Sequence, residues 1–199
     1  MRTQATRYRR QSLISVSDER YMALAISLGR RNLGQTSPNP SVGCVLVKND
    51  AIVGRGYTAP NGRPHAETQA LKQAGSAANG ATAYITLEPC SHEGKTPSCA
   101  HALVEAGIKR AVVAVIDPDK RVNGKGISIL KTAGIEVKVG ILSEHASLDH
   151  AGFFSSQSSR RPWITLNVAA SLDGKIATRE ADSKWITGSS ARHFVHNMR

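Results

Sequence analysis

His65-Ala66-Glu67 is the stretch around which this chain is organised, together with Pro89-Cys90 and Cys99. One histidine and two cysteines are residue types that bind zinc, and three protein ligands leave a fourth position open for water. Glu67, two residues after the histidine, is placed to move protons beside such a metal. His92 is the nearest candidate for a fourth ligand, and with it the site would be a closed structural zinc centre.

Apolar runs and helical periodicity alternate on both sides of this stretch. The predicted strands span residues 42–47, 51–57, 81–87, 111–116 and 135–139. The predicted helices begin near residue 17 or 18 and end at residue 34, and then span residues 65–74, 97–106, 126–133 and 143–153. Because the later strands alternate with helices, the pattern predicts an α/β sandwich whose mixed sheet has parallel pairings after an initial hairpin.

The chain divides by composition into four parts. Residues 1–16 are rich in arginine and lack acidic residues, which indicates a disordered basic extension, with a transit peptide as the alternative. Residues 17–154 form the main domain, and residues 155–161 are polar and basic, as in a linker. Residues 162–199 then begin a second domain, with a predicted strand over 163–169 and a helix starting at residue 191.

Composition limits the class of protein. No apolar run approaches the roughly 18 residues of a membrane helix, so no membrane partner is expected. Three cysteines, of which Cys90 and Cys99 have a use as metal ligands, favour a reducing compartment without disulfides, and we expect a cytoplasmic protein. The net charge of +11 suits a phosphorylated small molecule or a nucleic acid.

The order of the motifs indicates the chemistry. His65 and Cys99 both fall at predicted helix N-termini, where the helix dipole stabilises the thiolate that binds zinc. A His-x-Glu pair followed by Pro-Cys and a second cysteine is the arrangement for hydrolytic deamination of an amino-substituted heterocycle. The commoner signature has two residues between the cysteines, whereas here eight residues separate Cys90 from Cys99.

Longer motifs carry a resemblance to a known family. They are Thr-Ser-Pro-Asn-Pro-Ser-Val-Gly-Cys at 36–44, Pro-His-Ala-Glu at 64–67, Thr-Leu-Glu-Pro-Cys-Ser-His-Glu-Gly-Lys-Thr-Pro-Ser-Cys at 86–99, Asp-Pro-Asp at 117–119, Arg-Pro at 161–162, Ser-Leu-Asp-Gly-Lys at 171–175 and Ser-Lys-Trp-Ile-Thr-Gly at 183–188. With these, residues 18–199 resemble the bifunctional deaminase–reductase of riboflavin biosynthesis (the RibD type). The resemblance implies a cytidine-deaminase-like three-layer α/β/α sandwich, followed by an incomplete dihydrofolate-reductase-like segment.

The resemblance also implies roles for residues of the first domain. Zinc would be held by His65, Cys90 and Cys99, and Glu67 would transfer protons. The substrate would be 2,5-diamino-6-ribosylamino-4(3H)-pyrimidinone 5′-phosphate, which loses its 2-amino group as ammonia. Substrate contacts would come from Asn39, His92 and Lys95.

For the second domain, the resemblance implies NADPH contacts from Ala169 and Trp185 and substrate contacts from Ser183 and Arg199. Fewer than about forty residues cannot bury a core of their own, so we expect a truncated reductase domain that is inactive. Two positions depart from the family pattern. Thr58 stands where many members have histidine, and Asn167 where they commonly have lysine.

Two alternatives to this deaminase remain. A tRNA or other nucleic-acid deaminase would fit the +11 charge, but aromatic residues for stacking bases make up only 5% of the chain, and no nucleic-acid partner is expected. A non-catalytic, zinc-stabilised remnant is the other alternative, and the intact His65, Glu67, Cys90 and Cys99 argue against it. By family resemblance, the chain is expected to form a homodimer or a homotetramer.

Overall fold

A five-stranded mixed sheet in the order β2-β1-β3-β4-β5 lies in the first of the two units into which the chain divides, Met1–Pro162 and Trp163–Arg199. This computed structural model describes residues 4–92, 98–119 and 122–198, and side chains from residue 17 onward. The strands are β1 (Gly43–Lys48), β2 (Ala51–Tyr57), β3 (Thr82–Leu87), β4 (Arg110–Val115) and β5 (Glu136–Val139). β1 is antiparallel to β2 and β3, whereas β3–β4 and β4–β5 are parallel. The predicted hairpin followed by parallel pairings is confirmed.

Helices cover both faces of this sheet. They are α1 (Gln4–Gly29), α2 (Ala66–Ala74), α3 (Cys99–Glu105), α4 (Lys125–Thr132), α5 (Ser143–Asp149) and α6 (Ala151–Ser159), and α7 (Ser189–Asn197) belongs to the second unit. Buried residues of α2, α3 and α4 share one core with the sheet, whereas those of α1 and α5 share another. The three-layer α/β/α sandwich expected from the resemblance is therefore confirmed.

Strand periodicity explains why there are two cores. Successive side chains of a strand point to opposite faces, so a fully buried strand supplies both layers. In β1, Cys44 and Leu46 enter the core beneath α2, α3 and α4, whereas Val45 and Val47 enter the core beneath α1 and α5. The nearly continuous apolar runs of the central strands follow from burial on both sides.

A buried ionic cluster fastens α1 to its face of the sheet. The Asp18 side chain is 1% exposed, and its carboxylate accepts two hydrogen bonds from Arg110, at 2.8 and 2.9 Å. Lys138 and the Tyr84 hydroxyl also donate to it, at 3.1 and 3.0 Å. Because Arg110, Tyr84 and Lys138 belong to three different strands, this Asp18 cluster links α1 to β3, β4 and β5.

α1 is longer than the sequence predicted. It begins at Gln4, so the predicted start near residue 17 is wrong, and residues 4–16 are helical where a disordered extension was expected. Residues 4–16 contain no proline or glycine, so no local signal stops the helix from propagating toward the N-terminus. The helix ends at Gly29, before a 3₁₀ turn at Arg30–Asn32.

The C-terminal half of the chain brings three further corrections. The predicted helix over residues 143–153 is two helices, because His150 takes a non-helical conformation (φ −91°, ψ 2°) between α5 and α6. The predicted linker begins inside α6, which runs to Ser159. The predicted strand over residues 163–169 is absent from the described structure, where these residues are exposed and no other strand pairs with them.

The predicted helix at residue 191 is confirmed as α7, which starts two residues earlier. Among the described residues of the second unit, 163–198, none is buried. No helix in the described part of the chain is both long and apolar enough to cross a membrane.

Candidate metal and active site

Two helix starts place the predicted metal ligands. His65 is the N-cap residue of α2, in an extended conformation (φ −68°, ψ 159°), and Cys99 is the first residue of α3. Ser98 caps α3 by accepting a hydrogen bond from the His101 amide at 3.3 Å. The prediction that His65 and Cys99 lie at helix N-termini is confirmed, and the predicted start of the second of these helices at residue 97 falls outside the described residues.

The ligand atoms of His65, Cys90 and Cys99 converge within 4.8 Å of one another. His65 Nδ1 lies 3.3 Å from Cys99 Sγ and 3.8 Å from Cys90 Sγ. Tetrahedral zinc bonded to nitrogen and sulfur at ordinary lengths separates its ligand atoms by about 3.6 Å. The donor set and its spacing therefore fit zinc, with three protein ligands. His92 is exposed, and among the described residues it is not part of this metal-ligand group.

Cys90 is the ligand of this group that loses its proton most easily. A hydrogen bond from the Cys99 thiol lowers the pKa of Cys90 to about 4, and the same bond holds the pKa of Cys99 above its ordinary value. The hydrogen bond with Cys90 raises the pKa of His65. Cys90 is thus ready as a thiolate, the form in which cysteine binds metals.

Glu67 is the second residue of α2 and is 4% exposed. Burial, followed by the negative charge of Cys90, raises the pKa of Glu67 to about 7. A carboxyl group whose pKa lies near neutrality can both accept and release a proton. Its place two residues after His65 allows it to serve as the proton carrier that the sequence predicted.

Asn39 is brought to the same place by the loop before β1. Its Nδ2 atom lies 3.4 Å from His65 Nε2 and donates a hydrogen bond to the Gly62 carbonyl at 2.8 Å. The Asn39 amide therefore lies at the Nε2 edge of the His65 ring, whereas the two cysteine sulfurs lie near Nδ1. The predicted hydrogen bond from Asn39 to the pyrimidine edge stays a prediction.

The height of α2 above the sheet depends on Gly56 in β2. A Cβ atom at Gly56 would lie 2.0 Å from the Ala66 carbonyl oxygen, a distance at which the backbones must separate. The first turn of α2, which carries His65 and Glu67, thus rests directly on the strand backbone. Sequence reasoning read residues 51–57 as a strand and did not assign this role to the glycine.

The remaining predicted site residues lie elsewhere or are not described. Lys95 and Arg199 fall outside the described residues. Ala169, Ser183 and Trp185 are exposed in the second unit, where the Arg192 guanidinium lies 4.1 Å from the centre of the Trp185 ring.

Thr58, one of the two departures from the family pattern, has a structural use. The side chain is 1% exposed, and its hydroxyl accepts a hydrogen bond from the Val42 amide at 2.9 Å. Because this bond joins the end of β2 to the start of β1, the hydroxyl is committed to the sheet. The hydroxyl in turn donates to the Val42 carbonyl at 3.5 Å, so both of its described hydrogen bonds are to Val42.

Glu88 is a buried polar residue that sequence reasoning missed. It lies within the motif at 86–99 but received no role there. The signal was available, because a carboxylate two residues before a metal-binding cysteine, at the end of a buried strand, needs partners of its own. Those partners are backbone amides of the segment that leads into α4.

Two family models match this chain. The cytidine and deoxycytidylate deaminase zinc-binding region matches residues 15–115, and the RibD C-terminal domain matches residues 162–199. The riboflavin biosynthesis protein RibD of Aquifex aeolicus is 50% identical over 187 residues, which cover 94% of this chain and 52% of the relative. The chain spans about half the length of the curated relatives it matches.

Solved structures agree with these matches. A RibD structure from Acinetobacter baumannii has a TM-score of 0.79 and 51% identity, covering 93% of this chain and 52% of its own. A Thermotoga maritima structure has a TM-score of 0.84 and 40% identity, with coverages of 93% and 53%. It is described as a diaminohydroxyphosphoribosylaminopyrimidine deaminase/5-amino-6-(5-phosphoribosylamino)uracil reductase. Since the deaminase model covers just over half of the chain and contains its metal-ligand group, the chain belongs to the cytidine and deoxycytidylate deaminase family.

Proposed function

We propose that this chain is a zinc-dependent hydrolytic deaminase of riboflavin biosynthesis. Its substrate is 2,5-diamino-6-ribosylamino-4(3H)-pyrimidinone 5′-phosphate, whose 2-amino group it replaces with oxygen. The observation that carries the proposal is one histidine nitrogen facing two cysteine sulfurs, with the buried Glu67 carboxyl two residues along the same helix. The similarity to RibD proteins and to the Thermotoga maritima deaminase/reductase supports the choice of substrate.

In this mechanism His65, Cys90 and Cys99 would hold zinc, which would lower the pKa of a bound water to about 7. Glu67 accepts a proton as the water oxygen bonds to C2 of the pyrimidine, and delivers it to a ring nitrogen. A further proton carried by Glu67 reaches the departing amine, so that the C2–N bond breaks and ammonia leaves. Water thus supplies the oxygen of the new carbonyl, one proton that stays on the ring nitrogen and one proton of the departing ammonia.

The burial of Glu67 suits both halves of this proton transfer. A carboxylate whose conjugate acid has a pKa near the working pH is basic enough to accept the proton from water. The resulting carboxylic acid is acidic enough to release that proton to the substrate. We assign the hydrogen bond to the pyrimidine edge to Asn39, and the 3.4 Å distance from Asn39 Nδ2 to His65 Nε2 supports this assignment. We assign His92 and Lys95, in the segment between the cysteines, to the substrate pocket, with Lys95 as the cation for the phosphate.

The exposed second unit leads to a separate proposal about NADPH. Trp185 and Ala169, the residues implied to contact it, are exposed, and Trp185 is 70% exposed. A dinucleotide site is normally concave and buries most of its ligand. We therefore infer that the 199-residue chain binds NADPH negligibly and does not oxidise it. NADPH oxidation by this chain with the deaminated substrate would overturn that inference.

Assembly and location complete the proposal. We infer a homodimer or homotetramer in the cytoplasm, in keeping with the relatives' place in a biosynthetic pathway. Sedimentation equilibrium of the zinc-loaded chain tests the assembly. A mass equal to that of the 21.3 kDa monomer at micromolar concentration would contradict it.

One assay tests the deaminase proposal. Ammonia release is measured with the ribosylaminopyrimidine phosphate, with cytidine and with a tRNA anticodon stem, for the wild type and for Glu67→Gln. We expect release from the first substrate only, and its loss in Glu67→Gln. Release from the tRNA stem alone would support a nucleic-acid deaminase, and zinc binding without release from any substrate would support a non-catalytic remnant.

A metal assay with matched cysteine variants tests the ligand set. Cys90→Ala removes a ligand, so the purified protein should contain far less than one zinc per chain. Cys44→Ala is the control, because Cys44 is a free thiol buried in the core and lies outside the metal-ligand group. The control should keep its zinc, and equal zinc contents in the two variants would refute the assignment.

A further inference from the structure

Glu88 has a buried carboxylate that is bonded entirely to main chain among the described residues. Its side chain is 3% exposed. Oε2 accepts hydrogen bonds from the amides of Asp117 and Gly124, at 3.2 and 2.9 Å, and Oε1 accepts from the Ile127 amide at 3.2 Å. Three amides converging on one carboxylate satisfy the charge without a cation, because hydrogen bonds to a charged acceptor are strong.

This carboxylate fixes the start of α4 against the segment that leads to Cys90. Gly124 is the N-cap residue of α4 and Ile127 lies in its first turn, where helical amides have no partner within the helix. A Cβ atom at Gly126 would lie 2.0 Å from the Pro89 carbonyl oxygen, so the α4 backbone rests directly on the peptide before Cys90.

Cys90 is held from its other side by α3. The Ala100 amide donates to the Cys90 carbonyl at 3.1 Å, and the Cys99 amide donates to Cys90 Sγ at 3.3 Å. The short segment from Glu88 to Cys90 is therefore clamped between the first turns of α3 and α4. Glu88 supplies the α4 side of the clamp.

We propose that Glu88 is a positioning residue for the metal site, which holds the Cys90 sulfur at its distance from His65 and Cys99. The inference rests on the proposed function in one respect, namely that the three ligands bind zinc. In Glu88→Gln an NH₂ group replaces one carboxylate oxygen. This NH₂ group cannot accept the backbone N–H hydrogen bonds that the oxygen accepted, and it faces those donors instead. The segment before Cys90 must then shift. Substituting a group that orients a metal ligand typically lowers metal affinity by about 10–100-fold.

The test measures the metal site directly. Zinc-loaded wild type and Glu88→Gln are mixed with excess chromogenic chelator, and the rate of zinc release is followed. The Co²⁺-substituted proteins are compared by their visible absorption, which reports the geometry around a tetrahedral thiolate site. We expect zinc release to be about 10-fold faster or more in Glu88→Gln, with altered Co²⁺ bands.

Asp18→Asn is the matched control, because it makes the same carboxylate-to-amide change at a buried residue on the opposite face of the sheet. It should lower the unfolding midpoint while leaving zinc release and the Co²⁺ bands unchanged. If Glu88→Gln also leaves both unchanged, or if Asp18→Asn alters them equally, the inference is overturned. Gly126→Ala, which presses on the Pro89 carbonyl, replaces Glu88→Gln if that variant does not fold, with the same expected outcome.

The ammonia assay keeps the two proposals distinguishable. Zinc release and the Co²⁺ bands require no substrate, so a deaminase proposal that fails on its substrate leaves a measured Glu88 effect standing. Conversely, unchanged zinc release in Glu88→Gln overturns the positioning role even if the wild type releases ammonia as proposed. A wild-type chain that holds no zinc would overturn both.

Discussion

Glu67 and Asp18 are both buried carboxylic acids, one on each face of the same sheet, and their surroundings give them opposite character. Burial raises the pKa of Glu67 to about 7, with the charge of Cys90 adding to the effect. Burial also acts to raise the pKa of Asp18, but hydrogen bonds from Arg110 and Lys138 outweigh it and lower the pKa to about 2. Burial alone does not decide what a carboxyl group can do, because its partners decide which protonation state is stable.

The difference separates a group that can move protons from one that holds the fold together. Asp18 is locked as an anion by two cations and a hydroxyl, so its proton is unavailable at any ordinary pH. Among the described residues Glu67 forms no ion pair with lysine or arginine, and its protonation is balanced near neutrality. Substitutions at the two positions should therefore affect different measurements.

The largest expected effect is on catalysis at Glu67. Glu67→Gln should lower the rate of ammonia release by about 10²–10⁴-fold, since a positioned acid–base group contributes about that much. Its folding stability should not fall, because a neutral amide replaces a carboxyl group that lacks a cation partner. The checks are steady-state kinetics and chemical denaturation. If Glu67→Gln kept the full rate, Glu67 would not be the group that transfers protons, and its contrast with Asp18 would lose its functional meaning.

The next effect is on stability at Asp18. Asp18→Asn should lower the free energy of unfolding by about 3–5 kcal/mol, because it removes the buried anion between Arg110 and Lys138 and leaves Arg110 with only the exposed Glu136 as an ionic partner among the described residues. Its turnover rate below the unfolding temperature should stay near that of the wild type. Urea denaturation and the ammonia assay on the same preparation test both statements. A large loss of turnover in a folded Asp18→Asn protein would mean that the two faces of the sheet are not independent.

His150 extends the comparison of the buried acids Glu67 and Asp18 to a buried base. It is 1% exposed, and neither ring nitrogen has a hydrogen-bond partner among the described residues. Burial lowers the pKa of His150 to about 4, whereas an unfolded histidine titrates near 6.5. Between these values the unfolded chain binds the extra proton, so stability is complete above pH 6.5 and falls as the pH drops toward 4, by about 3 kcal/mol in all.

His150→Leu should remove that part of the pH dependence. Unfolding free energies measured at pH 7 and pH 4.5 give the pH dependence of stability for each protein. The metal ligands titrate in both proteins, so their contribution cancels when the two pH dependences are subtracted. His145→Leu is the control, because His145 lies in α5, five residues before His150, but is exposed, and it should keep the wild-type slope. Equal slopes in wild type and His150→Leu would contradict the prediction.

The smallest effect concerns the contact between the first turn of α2 and the backbone of β2 at Gly56. Gly56→Ala forces a methyl group against the Ala66 carbonyl and should cost about 1–3 kcal/mol of stability, the usual range for overpacking. Because the displaced turn carries His65 and Glu67, turnover should fall as well. Gly80→Ala is a useful contrast, since no atom lies within 4 Å of a Cβ placed there, although its φ of 76° disfavours alanine. Only Gly56→Ala should slow ammonia release in the folded protein.

Much of the candidate site was predictable because its components are local. Histidine and cysteine chemistry, a glutamate two residues along a helix and an N-cap position are all written in short stretches. The hairpin and the parallel strands followed equally from period and turn residues. The errors occurred where a local pattern lacked a tertiary counterpart, as in the largely apolar residues 163–169, which pair with no strand among the described residues.

The sequence by itself determined which atoms could bind a metal and which residue could carry a proton, because residue type and spacing set that chemistry. Only the tertiary structure decided which buried carboxylate has cationic partners. Asp18 meets Arg110 across 92 positions of the chain, and Glu88 meets the amides of Asp117, Gly124 and Ile127 across a strand and a helix. No local pattern encodes such pairs, since they exist only once the sheet has brought distant segments within hydrogen-bonding distance.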